Sequence, residues 1–241
     1  MLEKLGTADR PESHFHDSSL DRWIEDYGLA GAWSGSREDM LRAVFASARD
    51  RGTGGTGVFG LRMQRGSFCY FMEQVDRLYP GRATDVERIE AAFGPTLFVY
   101  LRRPAKLAQA ISRVMAVQTG LWHRKADGSD LERLGPPRAP RYDRDAIARH
   151  MKELTALDAE WEHWFAQEGL APLRVSYDEL AGAPQDTLAR ILVALGLDPS
   201  QARSVHPPTA RLAGAESRIW AERFLAQTPA SQQAATAARQ P

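Results

Sequence analysis

Cysteine is nearly absent from this sequence. Cys69 is the only one, so no internal disulfide can form and a reducing compartment is the expected setting. The amino terminus lacks the apolar run of a signal peptide, and no apolar stretch is long enough to span a bilayer. An excess charge of either sign is missing too, since 31 Lys plus Arg balance 31 Asp plus Glu. A dedicated nucleic-acid binder carries a basic surplus; nucleic acid is therefore not an expected partner, and any phosphate site must be a local basic cluster. Together these absences predict a soluble cytoplasmic protein without a membrane span. The length, 241 residues, suits one domain with a sizeable core. We expect that domain over 1–227, and a disordered tail over 228–241, where Ala, Gln and Thr replace large apolar residues.

Hydrophobic spacing orders the elements. Residues 1–5 read as the last turn of a helix stopped at Gly6, followed by a polar loop over 7–19 and helical segments near 19–27 and 36–50. A short buried strand is expected over 58–63 and a helix over 67–78, with Phe68, Phe71, Met72 and Val75 as its apolar stripe. The run Thr96-Leu97-Phe98-Val99-Tyr100-Leu101 then breaks into Arg102-Arg103-Pro104 and a helix carrying Ser112, Gln118, Thr119 and Trp122. A loop over 125–141, an amphipathic helix over 142–167, a strand over 172–177 and helices over 185–195 and 216–226 complete the chain. Strands alternating with helices predict an α/β fold, a parallel sheet covered on both faces.

The strand–Arg–Arg–helix unit is the strongest functional signal. The carboxyl end of a strand, just before a helix, is where open α/β sheets bind anions, and two guanidiniums there can grip a phosphate with forked hydrogen bonds. A basic turn facing water is the plain alternative. Gly52-Thr53-Gly54-Gly55-Thr56-Gly57 matches G-x-G-x-x-G, but it follows a helix and leads into a strand, so it reads as a flexible connection. His14-Phe15-His16 places two imidazoles on one side of an extended segment, yet no HExxH or Cys/His framework accompanies them. Proton transfer by Glu12, His14 or His16 competes there with an ordinary polar loop. Cys69, among Phe68, Tyr70, Phe71 and Met72, reads as core filler, as do the aromatics of Trp161-Glu162-His163-Trp164-Phe165. Asp178 and Glu179 read most simply as caps of the next helical turn.

Leu101-Arg102-Arg103-Pro104, Ala108-Gln109-Ala110-Ile111-Ser112 and Gln118-Thr119-Gly120-Leu121-Trp122 together resemble the bacterial trehalose 2-sulfotransferase family, which is grouped with lipopolysaccharide and nodulation sulfotransferases. Weaker pieces lie in Gly6–Phe15, in Val58-Phe59-Gly60-Leu61-Arg62-Met63 and in Ser217-Arg218-Ile219-Trp220-Ala221-Glu222-Arg223-Phe224. The resemblance implies a P-loop-related sulfotransferase fold, a parallel sheet flanked by helices. It implies transfer of a sulfuryl group from 3'-phosphoadenosine 5'-phosphosulfate to a carbohydrate hydroxyl, on trehalose, lipopolysaccharide or a related glycan or glycolipid, with no metal. By the same resemblance, Arg102 or Arg103 with Ser112 holds the donor's 3'-phosphate, and Arg218 or Arg211 contacts a phosphate. Gln118, Thr119 and Trp122 face the acceptor, and the 125–141 loop is an acceptor lid.

Three departures accompany the likeness. The family's phosphosulfate loop, a strand ending in Arg-Ser-Gly, should precede the helix end at 1–5. We therefore expect an amino-terminally truncated domain lacking its first strand, through a misassigned start or gene decay. Ser13 stands where relatives place a catalytic glutamate, which moves the expected base to Glu12 or His14. Arg62 replaces a lysine and is expected to stabilise charge on the bridging oxygen. Two rival expectations are a catalytically silent remnant binding 3',5'-ADP weakly, and an interaction module whose exposed faces are covered by a partner or by a second copy in a homodimer.

Overall fold

The computed structural model describes residues 12–31, 35–54, 56–207, 209–210 and 214–228. The helix end expected at 1–5, residues 7–11 of the polar loop, Gly55, Arg211 and the tail from 229 onward lie outside the described residues. In chain order come α1 (Leu20–Asp26), α2 (Arg37–Thr53), α3 (Arg65–Leu78) and α4 (Asp85–Phe93). Next are β1 (Val99–Arg102), α5 (Lys106–Thr119), β2 (Leu121–Lys125), β3 (Asp130–Arg133) and α6 (Arg144–Gln167). The remainder comprises β4 (Leu173–Ser176), α7 (Tyr177–Gly182), α8 (Pro184–Ala194), a 3-10 turn (Pro199–Ser204), β5 (Thr209–Ala210) and α9 (Ala215–Ala226). The architecture is α/β, with a small parallel sheet flanked by helices. The chain divides into two compact units. Among the described residues no helix is long and apolar enough to cross a membrane.

The first unit draws on residues up to Phe98 together with Glu160–Leu173 and Leu188–Val205. α1, α2 and α4 start where short polar side chains accept the orphan N–H groups of the first turn. Ser19 accepts from the Arg22 N–H and Thr84 from that of Glu87, while Ser36 and Asp39 form a reciprocal capping box. The core is aromatic: Phe15 packs on Trp23 (4.9 Å), Phe45 (4.8 Å) and Phe71 (5.1 Å) between ring centres. A second group joins Phe68 to Trp161 and Trp164, each at 4.9 Å, and the Trp164 indole N–H donates to Asp85 (2.9 Å). The strand expected over 58–63 is reduced to a single parallel bridge between Leu61 and Glu12. Glycine weakens an extended run, and here the Gly60 N–H bonds back to the Gly52 carbonyl (3.2 Å) instead of to a neighbouring strand.

The second unit comprises Val99–Ala159, Arg174–Thr187 and residues from His206 onward. β1 pairs with β4. Leu107, Ala110, Ile111 and Val114 recur at helical spacing on α5 and pack against Ala146 and Ile147 of α6 and Trp220 and Phe224 of α9. Lys106 adds a half-buried ion pair to Asp158 (2.6 Å). Ser176 and Glu179 cap α7 reciprocally, the role expected of Glu179.

Two expectations need correction here. The helix expected to reach Trp122 stops at Thr119, because Gly120 adopts a left-handed C-cap (φ +71°); Trp122 lies on β2. The 125–141 segment is not all loop, since β3 returns antiparallel on β2 and β5 pairs with the other edge, in the order β3-β2-β5. The Asp127 carboxylate makes that reversal by accepting the Ser129 N–H (2.9 Å) and hydroxyl (2.6 Å). The same two bonds hold its carboxyl below the usual range.

Candidate functional site

Within the second unit, the last turns of α5 and the β2–β3 hairpin border a half-open cavity of about 240 Å³. Ser112, Met115, Ala116 and Thr119 reach it because positions three, four and seven apart share one face of a helix. Arg124 of β2, Arg133 of β3 and Arg138 beyond it contribute three guanidiniums, Ser217 of α9 adds a hydroxyl, and no carboxylate is among the described lining residues. Arg133 is committed within the fold, since its Nε meets the Asp130 carboxylate and its Nη1 donates to the Thr119 carbonyl (2.7 Å). Such a lining offers hydroxyls and fixed positive charge to a small oxyanion.

The expected binding residues distribute unevenly around this cavity. Ser112 and Thr119 line it. The Thr119 hydroxyl donates to the Met115 carbonyl (2.8 Å) and accepts from the Leu121 N–H (3.3 Å). Arg102 is exposed at the end of β1, and Arg103 lies over the Tyr177 ring at 4.4 Å; neither is among the lining residues described. Gln118 clamps the loop backbone, its amide donating to the Arg141 carbonyl (3.0 Å) and accepting from the Arg141 N–H (2.7 Å). Trp122 is half-buried on β2, and Arg218 is exposed on α9 next to Ser217.

In the first unit, the bridge at Leu61 joins the segment carrying Glu12 to the one carrying Arg62. The Arg62 N–H donates to the Glu12 carbonyl (2.9 Å), and its Nε donates to the Ser13 hydroxyl (2.8 Å). His14 and His16 do not share a side, contrary to expectation. His14 is buried (6% exposed), hydrogen-bonded through Nδ1 to the Tyr27 hydroxyl (2.7 Å) and stacked on Phe59 at 5.6 Å. Gly52 makes room for it, because a Cβ there would fall 2.7 Å from His14 Nε2. His16 is exposed instead, with Asp17 and Asp26 close enough for the three to offer ligand atoms within 4.8 Å. The Arg22 guanidinium already lies against both carboxylates, at 3.8 and 3.6 Å.

A sequence profile of the Stf0 sulphotransferase family matches residues 1–227. The chain belongs to that family. It is 30% identical over 186 residues to the trehalose 2-sulfotransferase of Mycobacterium tuberculosis, a match covering 75% of this chain and 66% of the relative. With the trehalose 2-sulfotransferase of Mycolicibacterium smegmatis it shares 32% identity over 130 residues, 53% of this chain and 45% of the relative. Each match spans less than two thirds of the relative's length. In this member of the Stf0 family, Arg124, Arg133 and Arg138 are the cavity-lining arginines that sequence reasoning missed. Asp127-Gly128 between Leu121–Lys125 and Asp130–Arg133 is a hairpin signal that could have placed Arg124 and Arg133 on facing strands.

Proposed function

We propose that this protein transfers a sulfuryl group from 3'-phosphoadenosine 5'-phosphosulfate to a hydroxyl of a carbohydrate, with trehalose the first acceptor to try. The observation that carries this reading is the cavity itself. Ser112, which the family resemblance gives to the nucleotide's 3'-phosphate, lines it together with three arginines. Hydroxyls and guanidiniums are the donor set that a phosphate monoester requires, so the residues present fit the group.

Once bound, the donor supplies the sulfuryl group: the acceptor oxygen bonds to sulfur as the bond from sulfur to the 5'-phosphate oxygen breaks, leaving 3',5'-ADP. Ser112 and the arginines anchor the nucleotide, and Arg62 offsets negative charge on the departing oxygen. Glu12 takes the proton from the acceptor hydroxyl. Glu12 suits that task better than His14, whose ring is buried with Nδ1 engaged by Tyr27.

The test is incubation with sulfur-labelled donor and trehalose, followed by separation of the sugars. A labelled, sulfated disaccharide is expected, and Glu12→Gln should slow its formation by about 10²-fold or more. Absence of labelled product from trehalose, other glycans and lipopolysaccharide, in a preparation that also fails to bind 3',5'-ADP, would overturn the assignment.

A further inference from the structure

Leu121 and Arg124 both line the cavity, although strict alternation along a strand sends residues three apart to opposite faces. The register of β2 against β3 shifts twice, between Leu121 and His123 and again between His123 and Arg124. Bulges of this kind re-aim side chains next to binding sites. Here they turn Arg124 toward the Ser112–Thr119 face of α5.

Once there, Arg124 is incompletely satisfied. Its Nε is buried and has no hydrogen-bond partner among the described residues. Leaving a charged donor buried and unpaired is costly, and an acceptor from outside the chain removes that cost. Asp130, the register partner of Arg124, is ion-paired with Arg133, and no ion pair is described for Arg124 or Arg138.

We infer that Arg124 is an anion-binding residue, and that with Ser112 and Arg138 it seats a phosphate-type oxyanion in this cavity. Identifying that oxyanion as the donor's 3'-phosphate rests on the proposed function; the seat itself rests on the buried, unpaired Nε of the half-buried Arg124. The hairpin then takes part in nucleotide recognition, whereas the family resemblance gives that task to the strand-end arginines.

Calorimetric titration of the full chain with 3',5'-ADP, 5'-AMP and inorganic phosphate tests the inference. Arg124→Gln should weaken 3',5'-ADP about ten- to hundredfold, as expected for a lost charged hydrogen bond. It should leave 5'-AMP, which lacks the 3'-phosphate, unchanged. Arg124→Lys should recover only part of the loss, having charge without the fork. If Arg124→Gln fails to fold, Arg138→Gln, at an exposed position, must show the same ligand-selective loss. Wild-type affinity for 3',5'-ADP in the folded Arg124→Gln variant overturns the inference while the sulfuryl-transfer reading stands. Binding of phosphate through Arg124 without any binding of 3',5'-ADP keeps the seat and removes the donor. A parent protein that binds neither ligand removes both.

Discussion

Gly120 meets two constraints at one position. Its φ of +71° is a conformation that L side chains rarely adopt, and a Cβ there would lie 2.8 Å from the Gly135 backbone nitrogen. Backbone cannot swing aside as the end of a side chain can. Gly120→Ala should therefore cost more than the ~1–2 kcal/mol of a left-handed alanine alone. Gly135→Ala is the control, because its Cβ would meet nothing within 4 Å. Urea unfolding of the two variants checks this, and equal losses would contradict it. Tyr27 carries a second residue-scale consequence. Burial, chiefly, pushes its hydroxyl up to about 12, with the Glu12 and Asp26 charges adding to the rise and the Arg51 guanidinium opposing it. A phenol whose folded value is raised holds its proton longer in the native state. Its contribution is therefore fully present below about pH 10 and is lost as pH rises toward 12. Tyr27→Phe should flatten the fall of stability across that window and remove one late component from the ultraviolet titration of the tyrosines. Retention of that late component in the variant would assign it to another tyrosine.

Among the elements, the join between α5 and the hairpin does the most to shape the cavity. Gln118 uses both ends of its amide on the Arg141 backbone, and the Leu134 N–H donates to the Gly120 carbonyl (2.7 Å). The returning loop is thus tied to the helix terminus twice. Gln118→Ala removes two hydrogen bonds worth together about 1–3 kcal/mol. It should speed amide exchange at Arg141 while the α5 amides from Gln109 to Val114 stay protected; faster exchange throughout α5 would make Gln118 a general support instead. The same join marks where the sequence was easy to read and where it was not. The apolar spacing of α3 and α6 identified their buried faces, because a 3.6-residue period persists over several turns. The two-residue period of β2 was hidden by its bulges and by the polar side chains of a small sheet. α4 went unread although Thr84-Asp85-Val86-Glu87 carries an N-cap signal, since nine residues give a short apolar pattern. At the site, Ser112 was legible because it stands in a motif. Arg124 was not, since its importance comes from a register shift and from burial, which no residue pattern displays.

For the whole molecule, the balanced charge means that anion binding draws on local arginines and not on a general basic field. The two compact units also have separate cores, one built on Phe15, Phe45 and Phe71, the other on Ile111, Ile147 and Phe224. The proposed nucleotide seat lies wholly within the second. A ligand stabilises the state that binds it by about 2.7 kcal/mol at a hundredfold excess over its dissociation constant, and that gain falls on the unit holding the seat. Heating with 3',5'-ADP should therefore raise the transition that Phe224→Ala lowers, and leave in place the one that Phe45→Ala lowers. Differential scanning calorimetry of the parent and the two variants, each with and without nucleotide, measures both shifts. A single transition displaced equally by the ligand and by either core substitution would show that the two cores melt as one. In that case the nucleotide's stabilisation would belong to the entire chain rather than to the half that carries Arg124.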